Sequence, residues 1–367
     1  MIGMGYVRLD DRELSAVHRV LRSGKLRAGE VTADFEARFA RAVGAKYAVA
    51  VSSGTAALHV ACLAMLAPGD EVVVPDFTFA ATASMVLAAG AKPVLADVDP
   101  RTFTLDPADV RRRISTRTRA LIPVHLYGNP ADIAGLRRVA HDHKLRIIWD
   151  AAQAHGAAFR ARDVGAFPDV VCYSFYPSKN MTTGEGGMLT TSDKGLAEQF
   201  RLLRSHGDTG RYHHVRLGYN YRLTDIGAAI GRVQLGKLPG ALRRRRRNAA
   251  YLSRGLRDIT GIELPLLTRG VEHAFSLFTV RLRPEVLCMT REAFRQKLAQ
   301  AGIDTAVHYP IPLHRQPIFQ GYGSDLDFPV STALSQTVLS LPVHPGLTTQ
   351  DLSKIVKAVR ETVATVR

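Results

Sequence analysis

Residues 46–66 read KYAVAVSSGTAALHVACLAML. Lys46 to Val51 form a short β-rich run, and the apolar SGTAALHVACLAML that follows has helix length, so the segment predicts a strand followed by a helix. Ser52, Ser53, Gly54 and Thr55 lie at the junction. Free backbone N–H groups and the helix dipole make such a junction an anion site. A plain Ser or Thr N-cap accounts for the same residues equally well. No lysine follows the glycine as in a Walker A loop, and no G-x-G-x-x-G follows a strand.

The alternation continues to about Thr191. EVVVPDF, KPVLADVD, RALIPVHL, LRIIWD, VVCYSF and GGMLTT read as further strands, separated by TFAATASMVLAAG, PADVRRRI and PADIAGLRRVAHDHK. Such βα units predict an α/β fold whose largely parallel sheet is covered on both faces. Ligands of such sheets gather at the carboxyl ends of the strands. After about Lys237 the character changes. A long basic helix, roughly Gln234 to Leu256, leads to GIELP, FSLFTVRL, REAFRQKLAQAG and a closing helix from Thr349, which read as a smaller α+β domain. The first 35 residues read as one helix, DRELSAVHRVLRSG, plus an arm that packs elsewhere on the molecule or on a partner.

Composition narrows the class. Hydrophobic content of 46% and charged content of 22% fit a folded chain with a sizeable core. The longest mostly apolar region, residues 77–96, is interrupted by Thr78, Thr82, Ser84, Gly90, Lys92 and Pro93, so no membrane span is expected. The N-terminus has no basic region leading into an apolar one, so no signal peptide is expected either. Cys62, Cys172 and Cys288 are far apart in apolar surroundings, which argues against a disulfide framework or a metal site and for a reducing, cytoplasmic setting. Lys+Arg outnumber Asp+Glu 49 to 33, a net charge of +16. The run Arg243 to Arg247 admits nucleic-acid binding, but no recognised nucleic-acid motif accompanies it. A solvated helix face, or attraction of an anionic small substrate, explains the charge as well.

Two further strand ends carry reactive groups. LRIIWD ends on Asp150, placed to pair with a ligand's protonated nitrogen or to cap a helix, with Gln153 and His155 on the next turn. VVCYSF delivers Ser174, and SFYPSKNMTTGEGGML then places Lys179 before glycines 184, 186 and 187. That lysine reads as a phosphate clamp, a surface charge or a nucleophile freed by desolvation. An anion cradle, a carboxylate and an amine on successive strand ends together suit pyridoxal phosphate (PLP), which wants a phosphate cup, a partner for its ring nitrogen and a Schiff-base lysine.

On these residues the sequence resembles the DegT/StrS-type sugar aminotransferases. The likeness runs from VLRSGKLRAGEVTADFE through VAVSSGTAALH, PDFTFAATA, DAAQAHGA, SFYPSKNMTTGEGGML and GYNYRLTDIGAA to VHYPIPLH. It implies the PLP-dependent transferase fold type I, with a mainly parallel, seven-stranded-type sheet in a large domain (residues 1–240, with the arm) and a small C-terminal α+β domain (241–367). By this resemblance Lys179 would form the Schiff base, Asp150 would pair with the pyridine nitrogen, and Gln153 would lie near the ring hydroxyl. Gly54, Thr55 and Ser174 would hold the phosphate, and Phe79 would stack on the ring. Asn220 would reach the phosphate of a neighbouring subunit's cofactor, which implies a homodimer with composite sites. His308, Tyr309 and His314 match a segment near the sugar. Gly227 stands where relatives usually carry Gln, a change expected to affect packing more than chemistry. Some relatives replace the lysine with His and become dehydratases, so Lys179 favours transamination.

The implied activity is transfer of an amino group from an amino acid, expected to be glutamate, to a nucleotide-linked ketosugar, with pyridoxamine phosphate formed during turnover. TTGEGG and GYNYRLTD resemble relatives that act at the sugar 4-position, whereas SFYP points the other way. Amination of a 3-ketosugar, a cyclitol or a related ketone in antibiotic biosynthesis is the alternative. A regulatory protein using Arg243 to Arg247 on nucleic acid is the non-enzymatic one.

Overall fold

The computed structural model describes residues 1–5 and 7–364. Two helices, α1 (Asp11–Ser23) and α2 (Glu30–Val43), precede β1 (Tyr47–Val51). There follow α3 (Gly54–Met65), β2 (Glu71–Pro75), α4 (Ala81–Ala88), β3 (Lys92–Ala96), α5 (Pro107–Arg113), β4 (Thr118–Leu121), α6 (Ile133–Asp142) and β5 (Arg146–Asp150). A short hairpin, β6 (Ala158–Phe159) and β7 (Arg162–Asp163), comes before β8 (Val170–Ser174), β9 (Gly187–Thr191) and α7 (Lys194–Arg204). The remainder holds α8 (Asp225–Leu256), β10 (Ile262–Glu263), β11 (Val271–Glu272), β12 (Phe278–Leu282) and α9 (Pro284–Leu287). It closes with α10 (Arg291–Gln300), α11 (Pro329–Thr337), β13 (Val338–Leu341) and α12 (Thr349–Ala364).

Seven strands form the main sheet in the order β1-β9-β8-β5-β4-β2-β3. Only β9 runs against its neighbours β1 and β8. Side chains along each strand alternate between two cores, as the pleat requires. Trp149, Val171 and Tyr173 pack with Phe35 and Phe39 of α2 and Val139 of α6. On the other face Ile148, Val170 and Cys172 pack with α3, α4 and Phe200 of α7. Because α3 is wedged between the sheet and α4, it is buried nearly all round. This is the expected α/β sheet covered on both faces.

A third core surrounds the antiparallel sheet β10-β12-β13 and the packed faces of α10 and α12. α8 serves two cores: Leu238 and Leu242 belong to the large-sheet core, Ala249, Leu252 and Leu256 to the third.

Several elements depart from the sequence reading. α8 begins at Asp225, nine residues before the expected Gln234. Its start is fixed by Thr224, whose hydroxyl accepts from Gly227 N–H at 3.2 Å. The glycines that weaken helix propensity allow close packing here: a Cβ on Gly231 would come within 2.7 Å of the Phe35 ring. Gly227 likewise sits against Leu223 and the Thr183 carbonyl. The N-terminal region holds a second helix, α2, where an arm was expected. β4 stops at Leu121, because Pro123 has no N–H to continue the ladder. Cys288 is exposed at the end of α9 rather than set among apolar groups, while Cys62 and Cys172 are buried. Among the described residues no helix is long and apolar enough to cross a membrane, and no cluster of potential metal ligands occurs.

Candidate active site

A cavity of about 1260 Å³ opens at the carboxyl ends of β1, β5 and β8. Nine of the residues singled out in the sequence line it together: Gly54, Thr55, Phe79, Asp150, Gln153, Ser174, Lys179, His308 and Tyr309.

The cradle is built from the β1–α3 junction. Ser53 caps α3 by accepting from Ala56 N–H at 3.0 Å, which leaves its hydroxyl in local service. The N–H groups of Gly54 and Thr55 have no partner among the described residues. Gly54 has no room for a side chain, since a Cβ would lie 2.6 Å from that of Ser174. The helix N-terminus is thereby pressed onto the end of β8, and free N–H groups, the helix dipole and a serine hydroxyl converge as an anion site.

Asp150 is buried at the end of β5. Its Oδ1 accepts from Ala152 N–H at 3.0 Å, and its Oδ2 accepts from the Thr82 hydroxyl at 2.9 Å. Burial raises its pKa; the two hydrogen bonds and the charge of Lys179 act in the opposite direction. Lys179 is tethered by its N–H to the Tyr176 carbonyl at 2.9 Å. Its neighbour Asn180 donates to the Ala274 carbonyl at 3.1 Å. Burial lowers the Lys179 pKa, with Asp150 pulling it up. Its Nζ has no hydrogen bond or ion pair among the described residues, so the amine is left available.

Gln153 Oε1 accepts from Tyr127 N–H at 2.6 Å, and its Nε2 donates to the Tyr309 hydroxyl at 3.0 Å. The Tyr127 hydroxyl donates to the His308 carbonyl. The 308–309 segment is thus pinned to the end of β5 through two strand-end loops. Burial lowers the His308 pKa, as does the charge of Lys179. Phe79 is 58% exposed, with its ring 6.2 Å from that of Tyr309, so one face is open to the cavity. His155 lies beneath, against the rings of Tyr173 and Phe175, and burial drives its pKa down to about 3. It is therefore a neutral packing group.

His314 and Asn220 are placed elsewhere. His314 is buried outside the cavity lining, with Nδ1 2.8 Å from Asp76 and Nε2 2.9 Å from Asp325. It fastens its segment to the end of β2. Asn220 lies on an exposed segment bridged to Ser205, also outside the lining. The run Arg243 to Arg247 is not a uniform solvated strip. Arg243, Arg244 and Arg247 are exposed, but Arg245 is buried and Arg246 donates to the carbonyls of His273 and Gly156.

Sequence reasoning missed Thr82, Tyr127, Glu185 and Arg245 in or around the site. Thr82 was legible as the polar residue in FAATA; Tyr127 follows a strand end in VHLYGNP. Arg245 had no such signal, because its run looks like surface charge.

A lysine and a carboxylate desolvated in one cavity beside an anion cradle make a donor set that fits PLP without a change of fold. The class is therefore a type I PLP-dependent transaminase. The model of the DegT/DnrJ/EryC1/StrS aminotransferase family matches residues 7–360, and the chain belongs to that family. It is 40% identical over 359 residues to a UDP-N-acetyl-3-dehydro-alpha-D-glucosamine 3-aminotransferase of Acidithiobacillus ferrooxidans, covering 97% of this chain and 95% of the relative. It is 41% identical over 350 residues to a dTDP-3-amino-3,4,6-trideoxy-alpha-D-glucose transaminase of Streptomyces venezuelae, covering 95% and 91%. The crystal structure of S. venezuelae DesV with a ketimine intermediate superposes with a TM-score of 0.93 at 40% identity, covering 96% of this chain and 94% of that one.

Proposed function

We propose that this transaminase moves the amino group of glutamate onto carbon 3 of a nucleotide-linked ketosugar. The observation that carries the reading is the shared, desolvated cavity of Lys179 and Asp150 beside the α3 N-terminus. The names of two relatives at 40% and 41% identity specify carbon 3 and support this position; the 4-position to which TTGEGG and GYNYRLTD point is the second reading.

Bound PLP supplies an electrophilic carbon and an electron sink. In this reading Gly54, Thr55 and Ser174 hold its phosphate, and Phe79 covers one face of the ring. Asp150 would pair with the ring nitrogen, whose proton would offset the desolvated carboxylate. Gln153 lies at the ring hydroxyl while holding Tyr309 in place. Lys179, neutral at a lower pH than an exposed lysine, would take the proton from the donor's α-carbon and deliver it to the cofactor's aldehyde carbon on the far side of the shared nitrogen. His308 and Tyr309 form the wall against the sugar. Asn220 completes the phosphate site of a second copy, making the working unit a homodimer. Three unpaired cysteines suit a reducing, cytoplasmic compartment.

The test is a panel of UDP- and dTDP-linked 3-keto and 4-keto sugars, incubated with holoenzyme and glutamate and read by product mass. Amination confined to 3-keto substrates is expected. Amination confined to 4-keto substrates would overturn the position, and none with any ketosugar would overturn the substrate class.

A further inference from the structure

The geometry points to Arg245 as the residue that receives the α-carboxylate of the amino-acid donor, an inference that rests on the transaminase reading above. An amino acid whose α-carbon comes within reach of Lys179 brings its carboxylate into the same desolvated space, where an unpaired anion is costly. The cavity must therefore offer a fixed cation. Lys179 is committed to the cofactor and to proton transfer. Among the described lining residues Arg245 is the one guanidinium.

Its setting is built for such a partner. Arg245 is 6% exposed, deep on α8, and Nη1 donates to the carbonyls of Phe275 (3.0 Å) and Ser276 (3.3 Å). Those bonds fix the plane of the group. Nε is buried without a partner, and Nη2 donates to no group among the described residues. Among the described residues no carboxylate pairs with it. Burial brings its pKa down to about 10, so it remains a cation at neutral pH. Its charge and that of Lys179 both act to lower the His155 pKa. The two N–H groups of Nη2 are thus left to donate to a carboxylate.

The experiment uses PLP-loaded wild type, Arg245→Gln and Arg245→Lys, and follows each half-reaction by the cofactor's absorbance. The amino-acid half is run with glutamate and with 4-aminobutyrate, which lacks the α-carboxylate. The sugar half is run in reverse with the nucleotide-aminosugar product. Arg245→Gln is expected to slow the glutamate reaction about 10–100-fold, the loss of a charge-assisted hydrogen bond, and to leave the 4-aminobutyrate and aminosugar reactions within about twofold. Arg245→Lys should recover part of the loss; it also serves if the Gln variant does not load cofactor. Equal slowing with all amines would mean that Arg245 only holds residues 275–276, and selective slowing of the aminosugar half would assign it to the nucleotide's phosphates; either overturns the inference. Failure of wild type to react with any amino acid would instead sink the transaminase reading.

Discussion

Burial opposes charge on both Lys179 and Asp150, and shifts their pKa values in opposite directions. It lowers the Lys179 pKa and raises that of Asp150. The Lys179 ammonium makes no hydrogen bond or ion pair among the described residues, and its desolvation outweighs the attraction of Asp150. Lys179→Ala should therefore fold with an undiminished melting temperature, yet lose about 1000-fold or more in turnover as the proton-transfer group disappears. Borohydride reduction should attach a cofactor-sized mass to the peptide holding Lys179 in the wild type and to no peptide in the variant. A label on another lysine would relocate the site. Asp163, at the end of β7, gives a separate test of how burial acts on a carboxylate. Its Oδ1 accepts from Gly165 N–H at 2.8 Å, and burial pushes its pKa up to about 7 from the model-compound 3.8. A raised carboxyl pKa means the folded state holds a proton that the unfolded state has released. Stability from that proton is present at low pH and is lost as pH rises from about 4 to about 7. Asp163→Asn keeps the acceptor without the charge. It should match wild type near pH 4 and exceed it by about 1–3 kcal/mol at pH 8, measured by denaturant unfolding. An offset that is the same at both pH values would show that the charge is not the cause. The site was legible wherever a strand end met a turn, as at Gly54, Asp150 and Lys179. It was illegible at Arg245, where only the packing of α8 distinguishes one arginine among five.

At the scale of elements, helix starts that the sequence concealed are capped from far along the chain. Gly29 begins α2 without a side chain to cap it. Asp225 supplies the cap: its Oδ1 accepts from Gly29 N–H (2.9 Å), Thr32 N–H (2.9 Å) and the Thr32 hydroxyl (2.6 Å). Asp97 serves α11 in the same way, accepting from Val330 N–H and Ser331 N–H at 2.8 Å each. A local reading finds βα units because their caps, Ser53 among them, are adjacent in sequence. It cannot find a cap nearly two hundred residues distant, and so α2 looked like an arm. Asp225→Ala should destabilise the fold by about 2–3 kcal/mol, since it leaves buried donors unsatisfied as well as removing a cap. Asp225→Asn should lose less, because one acceptor oxygen remains. Equal melting temperatures for wild type and Asp225→Ala would show that α2 is held by packing alone.

Taken whole, one chain provides a nearly complete cavity but leaves Asn220 on an exposed segment outside it. The net charge of +16 does not form one strip along α8, because Arg245 and Arg246 turn inward to carbonyls of residues 273–276 and 156. The regulatory reading based on that run loses its main support, and the charge remains available to draw in an anionic nucleotide sugar. If Asn220 serves a second copy, Lys179 and Asn220 of one chain act in different sites. Lys179→Ala and Asn220→Ala would each be strongly impaired alone. In a mixed dimer both defects would fall in the same site, leaving the other intact. Unfolding, mixing equal amounts and refolding makes about half the dimers mixed, each with one intact site, so activity should return to about a quarter of wild type. If Asn220 instead serves its own chain, every site in the mixture carries one defect. Activity after mixing would then stay at the average of the two variants, and the shared-site arrangement would be wrong.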